Sequence, residues 1–301
     1  MPSFSVIGPI ELLAQLATGR ASRWVVGGLR AVPYSVFNAT NTHFARLQHG
    51  RRKTTATTLA ERSSDYVENV WASDMATFLL HLPSKRFRER ALEMVNIDEI
   101  ERAASDGEGM IVAGQHLGPS AAIPLILAQL GFEVSIMGSQ SVIDFGRAPV
   151  ATCLPEASAR IRWLSTAEAH VLFEARTALR QGRVLVGFFD DLSSGAARQA
   201  EVELLGRRVQ LPLTLPHLAA AANCSIVPAS IVRDRGTHYT MTLDAALPAP
   251  ARDADAITAT ARQLARVAER HILEHPEQWL GWAQLPADSA TPATIPAEQS
   301  V

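Results

Sequence analysis

Between Met110 and Leu243, short apolar runs take turns with segments of helical periodicity, and this alternation narrows the chain to one class of fold. Met110-Ile111-Val112-Ala113 carries no polar residue, so a strand built from it is buried on both faces, as strands of parallel sheets are. A helix is expected from about Pro119 to Leu130, then strands over Phe132–Met137 and Ile161–Leu164. Ser165-Thr166-Ala167-Glu168 has the form of a capping box and predicts a helix from there to Arg180, closed by Gln181-Gly182 before a strand over Arg183–Phe189. Two short β segments around Gly206, a helix over Leu213–Ala222, strands over Ser225–Val232 and His238–Leu243 and a helix over Ala254–His275 complete the series. Strands and helices in this order imply an α/β fold: a mostly parallel twisted sheet with helices on both faces.

The preceding part is helical in character. Leu59, Tyr66, Val67, Val70, Trp71, Met75, Phe78 and Leu79 recur at helical intervals and predict one long amphipathic helix over Thr57–Leu82. Pro83 ends it, Ser84 can cap a short successor through Leu92, and Ile97–Ala104 reads as a further helix before the turn Asp106-Gly107-Glu108-Gly109. The division expected is an N-terminal helical region over 1–95 packed on the core, the α/β core over 96–285 and a disordered Pro-, Ala-, Thr- and Ser-rich tail over 286–301.

Composition removes several function classes. With 47% apolar and 19% charged residues in 301, the chain is globular, not disordered. Cys153 and Cys224 lie far apart outside any C-x-x-C pattern, which argues against a disulfide framework or structural zinc and for a reducing compartment. Neither a secretory leader nor a transmembrane helix is expected, since Arg23 and Arg30 interrupt the early apolar runs. Residues 1–62 carry eight basic side chains against Glu11 and Glu61, a surplus of six in a chain whose net charge is −2. A solvated helical face is the favoured reading of this asymmetry; peripheral contact with an anionic inner-membrane surface is the alternative, and the compartment expected is the cytoplasm.

In a parallel sheet, ligands gather at the carboxyl ends of the strands. Two polar clusters fall there: Gly114-Gln115-His116-Leu117-Gly118-Pro119-Ser120, and Asp190-Asp191 after the strand ending at Phe189. Among nine histidines, His116 stands out for its place between a buried strand and a helix. Gly114 and Gly118 are expected to let a substrate approach the backbone, and the amides opening the next helix to stabilise developing negative charge. A neutral imidazole there can accept the proton of an attacking hydroxyl or amine.

This segment resembles the H-x4-acid region of the lysophospholipid acyltransferase superfamily, in particular its bacterial lipid A late-acyltransferase branch. The resemblance is carried by an ordered set: Val95-Asn96-Ile97-Asp98, then Gly107 to Val112, the His116 segment, Ala178 to Val186 followed by Asp190, Leu205-Gly206, Pro212, Leu218 to Pro228, and Pro276-Glu277-Gln278-Trp279-Leu280-Gly281-Trp282. It covers roughly residues 60–285. It implies acyl transfer from acyl-CoA or acyl carrier protein, a thioester co-substrate with no further cofactor. In that family an acid five positions after the histidine orients the imidazole; here that position is Ala121.

Ser120, one position earlier, is a neutral substitute able to hydrogen-bond the imidazole, and Asp190 or Asp191 is a charged one, with Asp190 favoured because it matches the family's downstream aspartate. Asp190-Asp191 also reads as an ordinary loop-solvating pair. The site expected is therefore His116, Ser120 and Asp190 for chemistry, with Gly114, Gly118, Asp191 and Arg147 toward substrate. Arg147, Arg160 and Arg162 are candidate replacements for a basic residue that the family places after its second strand, where this chain has Met137-Gly138-Ser139-Gln140; a surface charge is the favoured reading of each.

No G-x-S-x-G elbow, P-loop or G-x-G-x-x-G is present, which argues against serine hydrolysis and nucleotide binding, and no nucleic-acid partner is expected. His271 and His275 lack the glutamate of H-E-x-x-H, so no metal is expected, and they read as groups on a helix terminus. Trp71, Trp279 and Trp282 read as core or rim aromatics. The acceptor favoured is a small molecule or carrier-bound intermediate, a membrane glycolipid or lysolipid being the alternative. A non-catalytic acyl-binding scaffold is the competing class, suggested by Ala121.

Overall fold

In the computed structural model, which describes residues 74–104, 109–192, 195–234 and 238–286, the alternation becomes a seven-stranded sheet between two layers of helices. Helical residues 74–81 (α1) lead into α2 (Lys85–Ala91), whose N-cap Ser84 accepts a hydrogen bond from the amide of Phe87. There follow β1 (Leu92–Val95), α3 (Asp98–Ala104), β2 (Met110–Gly114), a 3-10 turn (Ser120–Ala122) running into α4 (Ile123–Gln129), and β3 (Val134–Gly138). Next come α5 (Gln140–Cys153), α6 (Pro155–Arg160), β4 (Ile161–Ser165), α7 (Val171–Arg180) and β5 (Val184–Phe188). The hairpin β6 (Gln199–Leu204) and β7 (Arg207–Pro212), then α8 (Thr214–Ala222), β8 (Ile226–Arg233), β9 (Tyr239–Leu243) and α9 (Ala254–Glu274) complete the order.

The sheet runs β1-β9-β8-β2-β5-β3-β4, and every neighbouring pair is parallel except the antiparallel β8 and β9. All five residues of β2 are buried. Strand alternation sends Met110 and Val112 into one core, with Phe78, Phe87 and Leu127, and Ile111 and Ala113 into the other, with Leu179, Leu218 and Leu264. Two-sided burial is the reason these strands read as unbroken apolar runs. Cys153 and Cys224 are buried and form no disulfide. Among the described residues no helix is long and apolar enough to cross a membrane.

Three local differences from the sequence reading have physical causes. Leu92–Val95, expected within the helical region over 1–95, is an edge strand parallel to β9, so the sheet begins earlier. The capping box at Ser165 does not open a helix: Ser165 still pairs with Gly138 as the end of β4, its hydroxyl accepts from Ala167 at 3.3 Å, and α7 starts only at Val171. Helices α5 and α6 have no counterpart in the periodicity, since Gly146 and Pro149 interrupt the pattern of α5; Gly146 is accommodated because the Trp163 ring lies against it. The basic residues of 1–62, the first part of the Thr57–Leu82 helix, the turn at 106–108 and the tail beyond residue 286 lie outside the described residues.

Candidate active site

The histidine segment begins where β2 stops. Gly114 is the last strand residue, and a Cβ there would meet the Phe188 ring of neighbouring β5 at 2.8 Å. The next side chains diverge. Gln115 is buried, its amide nitrogen 2.7 Å from Nδ1 of His271 on α9, whereas His116 points toward the carboxyl end of β5 and Leu117 returns to the core. Gly118 adopts φ +55°, and a Cβ on it would stand 2.2 Å from the carbonyl oxygen of Ile231. Only glycine takes this left-handed turn against another backbone without strain.

Asp190 follows β5, one strand over from β2, with its carboxylate fully buried. Nδ1 of His116 lies 2.8 Å from Oδ1 of Asp190. The backbone N–H of His116 donates to both carboxylate oxygens, at 3.0 Å to Oδ1 and 2.9 Å to Oδ2. The position five after the histidine is empty of charge, and a carboxylate from the adjacent strand end occupies the partner's place.

Electrostatics favour the charged pair. Burial works against a protonated imidazole, but the negative charge of Asp190, its hydrogen bond to the ring and the charge of Asp191 outweigh it and raise the His116 pKa above 6.5. Burial likewise pushes the Asp190 carboxyl up, yet the charge and ring of His116, the indole of Trp279 and the His116 amide together hold it below 3.8. Asp190 therefore stays ionised at neutral pH and fixes the proton of the neutral imidazole on Nδ1, which leaves the Nε2 lone pair available. The His116 side chain is 35% exposed, so that lone pair is within reach of solvent. Phe188 packs on the imidazole at 4.8 Å between centroids.

A C-terminal arm closes over the segment from the other side. After α9 the chain forms 3-10 turns at Pro276–Gln278 and Leu280–Gln284. Gly118 donates its amide to the Gln278 carbonyl and Leu280 donates to the His116 carbonyl, both at 2.9 Å. Between these bonds Trp279 is completely buried, and its indole N–H donates to Oδ2 of Asp190 at 2.9 Å. The Gln278 side chain grips the backbone of Arg233 in both directions, accepting from its N–H at 2.8 Å and donating to its carbonyl at 2.9 Å.

Of the residues expected in the site, the structure brings His116 and Asp190 into contact and places Asp191, half-buried, beside them. Ser120 is buried in the 3-10 turn and makes no hydrogen bond to His116 among the described residues, because the turn at Gly118 and Pro119 folds it inward. The bare faces of Gly114 and Gly118, expected to admit a substrate, meet Phe188 and Ile231 instead. The amides of Leu117, Gly118, Ser120 and Ala122 already donate to protein carbonyls, so the charge-stabilising role expected of this turn does not fall to them. Arg147 is exposed midway along α5; Arg160 pairs with Glu133 at the amino end of the sheet, and Arg162 with Glu174.

His271 sits in the last turn of α9, as expected, and is buried between Gln115 and Asp244, 3.2 Å from the latter. Among the described residues no three His, Cys, Asp or Glu converge as a metal site. Trp279, Phe188 and Gln115 are the contributions that sequence reasoning missed. Their signal was present only as proximity in sequence: Gln115 flanks the histidine, Phe188 stands two residues before Asp190, and Trp279 stands in the Pro276–Trp282 motif.

A sequence model of a family described as bacterial lipid A biosynthesis acyltransferase matches residues 64–284. No curated protein matches the chain.

Proposed function

The chain belongs to the bacterial lipid A biosynthesis acyltransferase family, and from that premise we propose that it transfers an acyl group from a thioester donor, acyl-CoA or acyl carrier protein, to a hydroxyl or amine acceptor. The observation that carries the proposal is the His116–Asp190 pair at adjacent strand ends, 2.8 Å apart, with the imidazole partly exposed. Nε2 of His116 accepts the acceptor's proton as its oxygen or nitrogen attacks the thioester carbonyl. A C–O or C–N bond forms, the C–S bond breaks, and the departing thiolate takes the proton back from the imidazolium. Asp190 remains ionised throughout and stabilises the imidazolium. A positioned base of this kind contributes roughly 10²–10⁴-fold in rate.

The pairing with Asp190 supports an enzyme over a non-catalytic scaffold, because the scaffold reading rested on Ala121 having removed the acid. Arg147, exposed on α5, is a candidate contact for the phosphates of the donor. For the acceptor we favour a small molecule or carrier-bound intermediate; the family match favours a second class, a membrane glycolipid or lysolipid. The test incubates the full chain with acyl-CoA or acyl carrier protein thioesters and acceptors of both classes, and follows the acylated product by mass spectrometry. His116-dependent product with either class supports acyl transfer and identifies the acceptor; thioester hydrolysis alone, or product that persists in His116→Ala, sinks it.

A further inference from the structure

Beyond the dyad itself, we propose that Trp279 is a positioning residue that sets the basicity of the His116–Asp190 pair through its indole N–H on Asp190. This rests on the reading of His116 as the base. The count of donors motivates it. Two N–H groups of His116, backbone and ring, converge on the carboxylate and engage Oδ1 twice and Oδ2 once. The indole supplies Oδ2's second bond, the one donor to this carboxylate that comes from a different part of the chain among the described residues.

The ring is held for that purpose from several sides. Backbone hydrogen bonds on both flanks, from Gly118 to Gln278 and from Leu280 to His116, fix Trp279 to the histidine segment itself, and Leu117 bridges to Trp279. A Cβ on Gly281 would stand 2.2 Å from the indole, so a residue without one lets the ring lie flat over its own backbone. Trp282 then packs edge-on against it at 5.1 Å. A fully buried tryptophan needed only to fill the core would not require its single polar atom to meet a catalytic carboxylate.

The electrostatic consequence has a definite sign. The positive end of the N–H dipole stabilises Asp190 fully while the imidazole is neutral. Once the imidazole is protonated, the same dipole also repels the imidazolium, and the stabilisation is partly cancelled. The indole thus favours the neutral imidazole and opposes the pull of Asp190, which keeps more of the base in its reactive form near neutrality. The charged groups acting on the imidazole are Asp190 and Asp191, both after β5. Those of the other neighbouring elements are engaged elsewhere: Arg233 of β8 with Asp74 of α1, His271 of α9 with Gln115 and Asp244, and Glu277 of the arm with Gln278.

The experiment uses the full chain carrying isotope-labelled histidine and tryptophan. NMR titration reads the midpoint of His116 from its ring Cε1–H, in wild type and in Trp279→Phe, which keeps an aromatic plate and removes the donor. The midpoint is expected to rise in the variant by roughly half a pH unit or more; an unchanged or lower midpoint overturns the proposal. Should Trp279→Phe fail to fold, the wild-type indole N–H decides the matter. It is expected to shift with the same midpoint as His116, and an indole resonance that ignores that titration overturns the proposal. Neither readout needs a substrate, so failure of the acyl-transfer reading would show in product analysis and not here.

Discussion

Replacing Asp190 by asparagine removes one charge and leaves the shape of the site intact, and the geometry states what should follow. Three N–H groups meet the two oxygens of Asp190: the His116 amide, the His116 ring and the Trp279 indole. An asparagine offers one oxygen and one NH₂ in the same space. If the oxygen faces the ring, it still accepts from the His116 amide, but the NH₂ confronts the indole, leaving that buried donor and the NH₂ itself unmatched at about 1–3 kcal/mol each. If the NH₂ faces the ring, Nδ1 must accept, the proton moves to Nε2, and the lone pair proposed as the base is lost. Either arrangement also withdraws the charge that stabilises the imidazolium. The expected effect of Asp190→Asn is a fall in kcat of roughly 10³–10⁴-fold, the scale on which a misdirected tautomer disables a base. That corresponds to about 4–5.5 kcal/mol of barrier. The assay follows free thiol released from the thioester by its colour reaction, with product confirmed by mass spectrometry and folding by circular dichroism. A folded Asp190→Asn protein within tenfold of wild type, beside an inactive His116→Ala, would refute the assignment of Asp190 as the helper.

Because the His116 pKa is raised above 6.5, kcat/KM should increase with pH through a midpoint above that value, and an acid limb centred below it would contradict the pairing. The same pair stabilises the fold within a pH window. The contribution of His116 is full below 6.5 and lost as pH rises through its higher folded value, while that of Asp190 is present above 3.8 and lost as pH falls through its lower one. The gap in Tm between wild type and His116→Gln should therefore narrow from about pH 5 to about pH 9. Gly118→Ala would drive a Cβ to 2.2 Å from the Ile231 carbonyl at φ +55°; urea denaturation should show a loss of about 2–4 kcal/mol, and an unchanged midpoint would refute the close approach of Gly118 to Ile231. Ser120→Ala should leave kcat within about threefold, under 1 kcal/mol of barrier, whereas a loss of a hundredfold would restore the hydroxyl to the chemistry.

The elements that sequence made legible are those whose signal is local. Met110–Ala113 and Val184–Phe188 announce strands buried on both faces because each carries an unbroken apolar run, and Asp253 and Ser84 mark helix starts by accepting from amides three residues on. The edge strand Leu92–Val95 was not legible. Its burial is partial and its pairing is with residues 239–242, so nothing within four residues distinguishes it from helix. Ser165 shows the converse: a good local helix signal is overridden because the strand pairing of Ser165 with Gly138 keeps the chain extended.

The site divides in the same way. That His116 follows a buried strand, and that the position of the expected acid holds alanine, are properties of the sequence alone. Which group replaces the acid was open among Ser120, Asp190 and Asp191, because hydrogen-bonding chemistry allows all three and sequence distance carries no geometry. The sheet order decided it: β5 lies beside β2 although the 69 residues of 115–183 separate the two strands in sequence, and their register sets Gly114 opposite Phe188. That register delivers Asp190 to the imidazole, and the C-terminal arm adds the Trp279 indole across 89 positions of sequence. Local patterns state what each segment can become; contacts between distant segments, which only the packed chain brings within hydrogen-bond length, choose the partner of His116.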